Sequence, residues 1–293
     1  MQQDSPLYRL ALIGHPVSHS MSPPMHNAAL KHSGLAGSYD LIDIAPENLE
    51  RDIAKMVADG YTGFNVTIPH KDAIYRMASG HTNESLAAQA SNTVRVHQDG
   101  SLLAHNTDIG GFQEALDELI TAEHTKMIGC VVGTGGASKA AILAMANLGF
   151  PQIAIFSRDA ARAEALAGGL RHVIPMTTEF LTTDSWQSLP NEQISVIVNS
   201  SPIGQNAMPL PDWIDAWFES LSDHALLMDM VYSKTDQPTP LVDKASEFGL
   251  RAADGAEMLI RQAHNAFEFW TTATVPVQVF RDAFYQAKQL RSD

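Results

Sequence analysis

From about Lys126 onward the chain alternates short apolar runs with stretches of helical periodicity, and this alternation constrains its fold more than any other feature. Strand candidates fall at residues 127–132, 153–156, 173–174, 194–198 and 226–230, alternating with helix candidates such as 138–148, 159–167 and 240–248. Strand and helix in strict turn imply a parallel sheet, because parallel neighbours need long crossovers and the crossover helices cover both faces. A last helix at 257–271 follows without a clear linker.

The first hundred residues read differently. Residues 10–13 form a strand, and Ser22-Pro23 opens a helix that Gly34 stops, Pro being suited to a first turn and Gly to the residue past the end. Residues 38–44 read as a strand, 46–59 as a helix closed by Gly60, and 64–68 as a strand ended by Pro69. Residues 93–97 and 101–105 flank Asp99-Gly100, a hairpin turn signal. A hairpin beside helix-linked strands predicts a mixed sheet. With 293 residues, above the roughly 250 at which single cores begin to split, the expected fold is α/β in two domains. The N-terminal one carries the mixed sheet and the second a doubly wound parallel sheet.

Composition narrows the function. Lys and Arg number 19 against 33 Asp and Glu, a formal net charge of −14, and such a field repels polyanions, which argues against nucleic acid or an anionic membrane as partner. Cys130 is the single cysteine, so no intrachain disulfide and no thiolate metal cluster is expected. Its setting in an apolar strand suits an inert buried thiol. Residues 1–6 are polar, the apolar run at 10–13 is too short for a signal peptide, and no segment approaches the roughly 18 apolar residues of a membrane span. A soluble, cytoplasmic protein is expected. Twelve histidines show no tight ligand spacing, so no metal site is expected.

The first chemical motif is Val131-Val132-Gly133-Thr134-Gly135-Gly136-Ala137-Ser138, where a strand hands over to a helix. Gly133 permits the tight turn, Gly135 and Gly136 let a pyrophosphate approach the backbone, and Ser138 stands where a third glycine usually allows close packing. Amides at the helix N-terminus would hold the phosphates. Preceding strand, following helix and βα alternation together favour a Rossmann-type dinucleotide site over an ordinary glycine turn. At the end of the next strand stand Ser157, Arg158 and Asp159, followed by Arg162. An acidic residue there suits the ribose hydroxyls of NAD and arginines the 2′-phosphate of NADP. Both are present, and Asp159 also suits a helix N-cap.

In the first half, Ser20 and Ser22 lie two apart at a helix mouth, where two hydroxyls and the positive dipole end suit a carboxylate. Ser22 could equally be an N-cap. Asn65 and Thr67 share one face at a strand end, with Lys71 just beyond Pro69. Asp108 begins a helix running to about residue 120, where it could be a cap. The following Gly110-Gly111 are costly in a helix and imply close approach of another group. Gln262 sits in an apolar stripe with Leu259, Ala266 and Phe269. A lone amide there needs a partner, either a bound polyol or the backbone.

Taken together, these blocks resemble the shikimate dehydrogenase family. The resemblance rests on Gly14-His15-Pro16-Val17-Ser18-His19-Ser20-Met21-Ser22-Pro23 with His26-Asn27, on Asn65-Val66-Thr67-Ile68-Pro69-His70-Lys71, and on Asn92-Thr93 and Asn106-Thr107-Asp108. It continues through the glycine loop, Asp229-Met230-Val231-Tyr232, Thr239-Pro240-Leu241, Asp254-Gly255 and Met258-Leu259 with Gln262, in the family's order. It implies reversible oxidation of shikimate to 3-dehydroshikimate by a nicotinamide cofactor, in a cleft between a substrate domain and a Rossmann domain. Ser20 and Ser22 would hold the substrate carboxylate, while Thr67, Asn92 and Gln262 would bind the ring hydroxyls. Lys71 and Asp108 would form the acid–base pair, which the chemistry needs because hydride leaves a carbinol carbon only as the hydroxyl proton departs. Tyr232 and Gly255 would lie near the nicotinamide and substrate. Gly133, Thr134, Gly135, Gly136 and Ala137 would hold the dinucleotide phosphates, with Ser157, Arg158, Asp159 and Arg162 around the adenosine ribose.

The sequence departs from the family pattern at three places. Gln205 replaces a usual methionine, Gln89-Ala90-Ser91 replaces Gly-Ala-Val, and Ser157-Arg158-Asp159 replaces the Asn-Arg-Thr of NADP-dependent members. NADP is the expected cofactor, with NAD a close alternative. Quinate or an amino-shikimate is the alternative substrate, although the paired serines favour shikimate because quinate-preferring relatives carry threonine at the second position. A non-catalytic ligand sensor is a further alternative, against which stand both Lys71 and Asp108. The expected boundaries are 1–107 plus 258–293 for the substrate-binding domain and 108–257 for the dinucleotide domain. The partner is a small molecule and the assembly a monomer or homodimer.

Overall fold

The computed structural model describes residues 7–205 and 209–292. The polar start at residues 1–6 lies outside the described residues. Two compact units are formed, one running to Gly111 and resuming at Ile260, the other comprising Phe112–Leu259.

The first unit contains β1 (Tyr8–Gly14), α1 (Ser22–Ser33), β2 (Gly37–Asp43), α2 (Leu49–Ala58), β3 (Gly63–Val66), α3 (Lys71–Met77), β4 (Gly80–His81), α4 (Asn83–Ala88), β5 (Thr93–Val96), β6 (Leu102–His105) and the start of α5 (Thr107–Asp117). Its six-stranded sheet has the order β2-β1-β3-β5-β6-β4. β1 pairs parallel with β2 and β3, while β3–β5 and β5–β6 are antiparallel. The sheet is therefore mixed, as the hairpin signal implied. Gly100 takes φ +81° in that hairpin and Gly34 takes φ +66° at the C-cap of α1.

The run Leu10-Ala11-Leu12-Ile13 is apolar throughout because both faces of the sheet are covered. Ala11 and Ile13 pack with Ile53, Met56, Phe64 and Ile74 on one face. Leu10 and Leu12 pack with Tyr39, Ala266 and Trp270 on the other. The helix expected at 46–59 is a short 3-10 turn, Pro46–Asn48, followed by α2.

The second unit continues with β7 (Ile128–Val132), α6 (Gly136–Asn147), β8 (Gln152–Phe156), α7 (Ala160–Leu170), β9 (Glu179–Thr183), β10 (Ile194–Asn199), α8 (Ile214–Glu219), β11 (Leu226–Asp229), α9 (Pro240–Glu247), β12 (Arg251–Ala253) and the start of α10 (Ala256–Thr271). A final helix, α11 (Val277–Ser292), completes the first unit and packs on α1. The second sheet has the order β12-β11-β10-β7-β8-β9, parallel throughout. Strand order reverses between β7 and β10, the switch point at which such Rossmann-type sheets bind ligands beyond their strand ends.

One expected strand is absent from its place. Residues 173–174 lie in a turn after α7, where the Val173 and Ile174 amides donate to Leu170 O, and Val173 is 38% exposed. The third strand is β9 instead. It pairs only with β8 at the sheet edge, so Glu179, Thr182 and Thr183 break the apolar run that would have marked it.

Candidate active site

β3 ends at Val66, the chain turns through Thr67-Ile68-Pro69, and α3 begins at Lys71. The turn is anchored by the His70 amide donating to Thr67 O at 3.0 Å and by His70 Nε2 bonded to Ile44 O at 2.6 Å. Asp108 occupies the first turn of α5, directly after β6. β5 and β6 run antiparallel, with Thr93 opposite His105. The start of β5 and the end of β6 therefore lie at the same sheet edge as the end of β3. The fold thus carries Thr67, Lys71, Asn92 and Asp108 to one edge from separate parts of the chain.

There Lys71 Nζ donates to Asp108 Oδ2 at 2.6 Å, with the two side chains only 22% and 11% exposed. The other carboxylate oxygen, Asp108 Oδ1, accepts from Asn92 Nδ2 at 2.7 Å. Capping falls to a neighbour: Asn106 Oδ1 accepts the Asp108 amide at 3.1 Å while Asn106 Nδ2 donates to Ala90 O at 2.9 Å. The Asp108 carboxylate is therefore turned to Lys71 and Asn92 and does not serve as a helix cap.

Asn92 is held on all sides. Its Oδ1 accepts from the Thr107 amide at 2.7 Å and from Thr93 Oγ1 at 3.0 Å, and its Nδ2 also reaches Thr107 Oγ1 at 2.9 Å. Thr107 Oγ1 lies 3.5 Å from Gln262 Oε1, so the buried amide of α10 belongs to the same cluster. A Cβ on Gly111 would come within 2.6 Å of the Gln262 backbone nitrogen, the close approach that the paired glycines implied.

At the mouth of α1, Ser20 Oγ accepts the Ser22 amide at 3.1 Å and donates to Ser22 Oγ at 3.2 Å. The N-cap position is Met21, without a side-chain cap bond, and Ser22 is the first helical residue. Ser22 is thus not the cap that its position suggested, and the two hydroxyls lie side by side. Thr67 lies against the end of β1, where its Cγ2 would clash with a Cβ on Gly14. Tyr39, Asn65 and Thr93 complete the polar cluster. Sequence reasoning singled out Asn65 beside Thr67 without giving it a role and gave none to Tyr39 or Thr93, although an Asn in a short apolar strand was a signal that it needs buried partners.

In the second unit, Gly133 takes φ +118° and a Cβ there would strike Ser200 Oγ at 2.9 Å. Both facts demand glycine. Cβ atoms on Gly135 and Gly136 would meet nothing within 4 Å, so the loop leaves open the approach that a pyrophosphate requires, with Thr134 and Ala137 beside it. Ser138 is buried and its Oγ accepts the Gly135 amide at 2.9 Å and pairs with Ser200 Oγ at 2.8 Å. That hydroxyl pair ties α6 to the end of β10. The first amides of α6 have no intrahelical acceptors, as at any helix start, and this arrangement fits a dinucleotide.

Asp159 is the N-cap of α7, its Oδ1 accepting from the Ala161 and Arg162 amides at 3.0 and 3.3 Å. Ser157 Oγ accepts the Asp159 amide at 3.3 Å, and Arg158 and Arg162 are exposed beside it. Tyr232 is half-buried in the segment after β11. Gly255 is needed for backbone contact, since a Cβ there would lie 2.5 Å from Met230 O. Asp229, at the end of β11, accepts from Asn199 Nδ2, Thr239 Oγ1 and the Val231 amide, yet burial pushes its carboxyl up to about 6. Cys130 is fully buried and its thiol is pushed up to about 12, so it is inert as expected.

A family model described as the shikimate dehydrogenase substrate binding domain matches residues 12–94. A relative from Magnetococcus marinus, named shikimate dehydrogenase (NADP(+)), is 34% identical over 277 residues, 94% of this chain and 95% of the relative. The structure of shikimate 5-dehydrogenase from Thermus thermophilus in complex with NADP(H) and shikimate matches with a TM-score of 0.79 at 29% identity, covering 96% of this chain and 99% of that one. Quinate dehydrogenase from Corynebacterium glutamicum, in complex with NAD, matches with a TM-score of 0.83 at 26% identity over 95% of this chain and 99% of that one. With that identity sustained along nearly the whole length, the chain belongs to the shikimate dehydrogenase family.

Proposed function

We propose that this protein is a cytoplasmic dehydrogenase that interconverts shikimate and 3-dehydroshikimate with NADP. The observation that carries the reading is the Lys71 Nζ to Asp108 Oδ2 contact of 2.6 Å, a proton-transfer pair that a pure binder of the same ligands would not need. A bound nicotinamide would supply the acceptor for the hydride of the shikimate carbinol carbon, and the hydride donor in the reverse direction.

The residues supply everything else. Lys71 and Asp108 take the hydroxyl proton as the C–H bond breaks and give it back in reduction, sparing the reaction a free alkoxide. Ser20 and Ser22 donate to the substrate carboxylate at the positive end of α1. Thr67, Asn92 and Gln262 fix the ring hydroxyls, and Tyr232 is a further substrate-binding residue. Gly133, Thr134, Gly135, Gly136 and Ala137 hold the pyrophosphate, Gly255 lets the backbone pass close to the nicotinamide, and Ser157, Arg158 and Arg162 clamp the 2′-phosphate. A chain of −14 net charge thus meets two anionic ligands with locally placed donors and cations.

The test follows reduced-nicotinamide absorbance with shikimate, quinate and an amino-shikimate, each with NAD and NADP. Shikimate with NADP should turn over fastest, and no turnover with any pair would sink the reading. Lys71→Ala should lower kcat by about 10² to 10⁴ while KM moves little, because proton transfer belongs to the transition state. A change confined to KM would make Lys71 a binding residue only.

A further inference from the structure

We propose that Tyr39 is a positioning residue for the acid–base pair, acting through a one-way relay of hydrogen bonds that runs from its hydroxyl to the Asp108 carboxylate. The inference rests on the function proposed above for Lys71 and Asp108. Tyr39 lies in β2 and its hydroxyl donates to Asn65 Oδ1 at 2.8 Å. With the oxygen of the carboxamide so engaged, Asn65 Nδ2 must face the other way, and it donates to Thr93 Oγ1 at 3.0 Å and to Asn92 O at 3.1 Å.

Thr93 Oγ1, having accepted there, donates to Asn92 Oδ1 at 3.0 Å. The Asn92 carboxamide is thereby oriented in turn, and its Nδ2 meets Asp108 Oδ1 at 2.7 Å, leaving Oδ2 for Lys71. Every bond points the same way, and each amide oxygen takes a donor from the step before it, the Asn92 oxygen sharing that task with the Thr107 amide at 2.7 Å.

Three features make Tyr39 the fixed end. A hydroxyl can donate or accept, but the phenol stays protonated because burial pushes it far above its ordinary range, against a smaller pull from the Ser22 hydroxyl. Its ring is clamped by stacking on His26, with centroids 4.2 Å apart and planes 10° apart. Tyr39, Asn65, Asn92 and Thr93 are each at most 4% exposed, so water is not at hand to replace a lost donor. Without the Tyr39 hydroxyl, Asn65 Oδ1 loses its donor, and the Asn65 amide is held only through Nδ2, by Asn92 O and Thr93 Oγ1. Its hold on Thr93 Oγ1 then loosens, and with it one of the donors that orient Asn92 toward Asp108.

The test is Tyr39→Phe, with Thr93→Val as a second break in the same relay. In protein labelled with ¹⁵N-asparagine, the Asn92 side-chain amide signal, identified by its loss in Asn92→Ala, should shift in both variants. In turnover assays kcat should fall about tenfold with little change in KM, as expected for a slightly misplaced catalytic group, and the pH profile of kcat should move. A role confined to the core would lower Tm but leave the Asn92 signal and the pH profile in place. An unmoved Asn92 signal in Tyr39→Phe overturns the relay, whether or not the parent protein turns over shikimate. A moved signal with unchanged kcat and profile overturns the positioning role. If the parent protein has no activity, the proposed function fails while the Asn92 signal still decides the relay. Should Thr93→Val not fold, Tyr39→Phe decides alone.

Discussion

Asp159 has two demands on one carboxylate. Its Oδ1 takes the first free amides of α7, a contact that anchors the helix, while its charge sits next to Arg158, which the proposed function assigns to a cofactor 2′-phosphate. A threonine caps a helix nearly as well and carries no charge. Two unit charges about 4 Å apart in water repel by about 1 kcal/mol, so Asp159→Thr should raise kcat/KM for NADP about fivefold relative to NAD, with Tm little changed. An unaltered ratio would mean that Asp159 has no say in cofactor choice. The N-cap was legible in the sequence, because Asp159 stands between a strand and a helical pattern. The partners of Asp108 were not: Lys71 is 37 residues away and Asn92 is 16, and only the family resemblance joined them. Tyr39 looked like an ordinary strand aromatic, since its hydroxyl partner lies on β3 and strand pairing is set by the whole sheet.

At the level of elements, the junction of α5 and α10 is made by a missing side chain. An Ala at Gly111 would put its Cβ 2.6 to 2.9 Å from the Gln262 backbone, and backbone cannot swing aside. Overpacking of this kind costs about 1 to 3 kcal/mol, against roughly 1 kcal/mol gained from helix propensity. Gly111→Ala should therefore lower Tm modestly and, by displacing Gln262, raise KM for the substrate more than it lowers kcat. An opposite strain sits at the end of α4, where Gln89 takes φ +48° in place of the family's glycine. Gln89→Gly should stabilise by about 0.5 to 1 kcal/mol, the left-handed penalty less the added chain entropy, read as a higher urea midpoint at constant slope. Ser91, in place of the usual valine, is satisfied by Ser85 Oγ at 2.8 Å. Elements with apolar periodicity and a glycine stop were readable from sequence, as α1 shows. Edge and terminal elements such as β9, β12 and α11 were not, since few of their positions are buried and tertiary pairing decides them.

Across the molecule, two buried groups respond to acid with opposite sign, one in each unit. His26 is fully buried among aromatic rings, its nitrogens make no hydrogen bond of good geometry, and burial lowers its pKa to about 3, with nearby Asn65 offsetting only part. The unfolded chain takes up that proton near 6.5, so stability tied to His26 is whole above 6.5 and is lost as pH falls toward 3. At pH 5 the loss is roughly 2 kcal/mol. Burial holds His105 neutral as well, adding to the loss in the same unit. Asp229, raised from 3.8 to about 6, acts oppositely: its folded form holds the proton that the unfolded chain releases, so its contribution is whole below 3.8 and vanishes as pH rises through 6. Lowering the pH from 7.5 to 5 therefore recovers about 1 kcal/mol in the second unit, against a smaller loss there from His124, which burial also holds neutral. Amide hydrogen exchange resolved by peptide, corrected for the intrinsic rate, should show β1, β2 and α1 losing protection at pH 5 while β10 and β11 hold theirs. His26→Phe removes a titrating ring without breaking a hydrogen bond, so it should restore most of the lost protection and leave the second unit unchanged. Equal loss in both units, or no rescue by Phe, would place the acid sensitivity elsewhere.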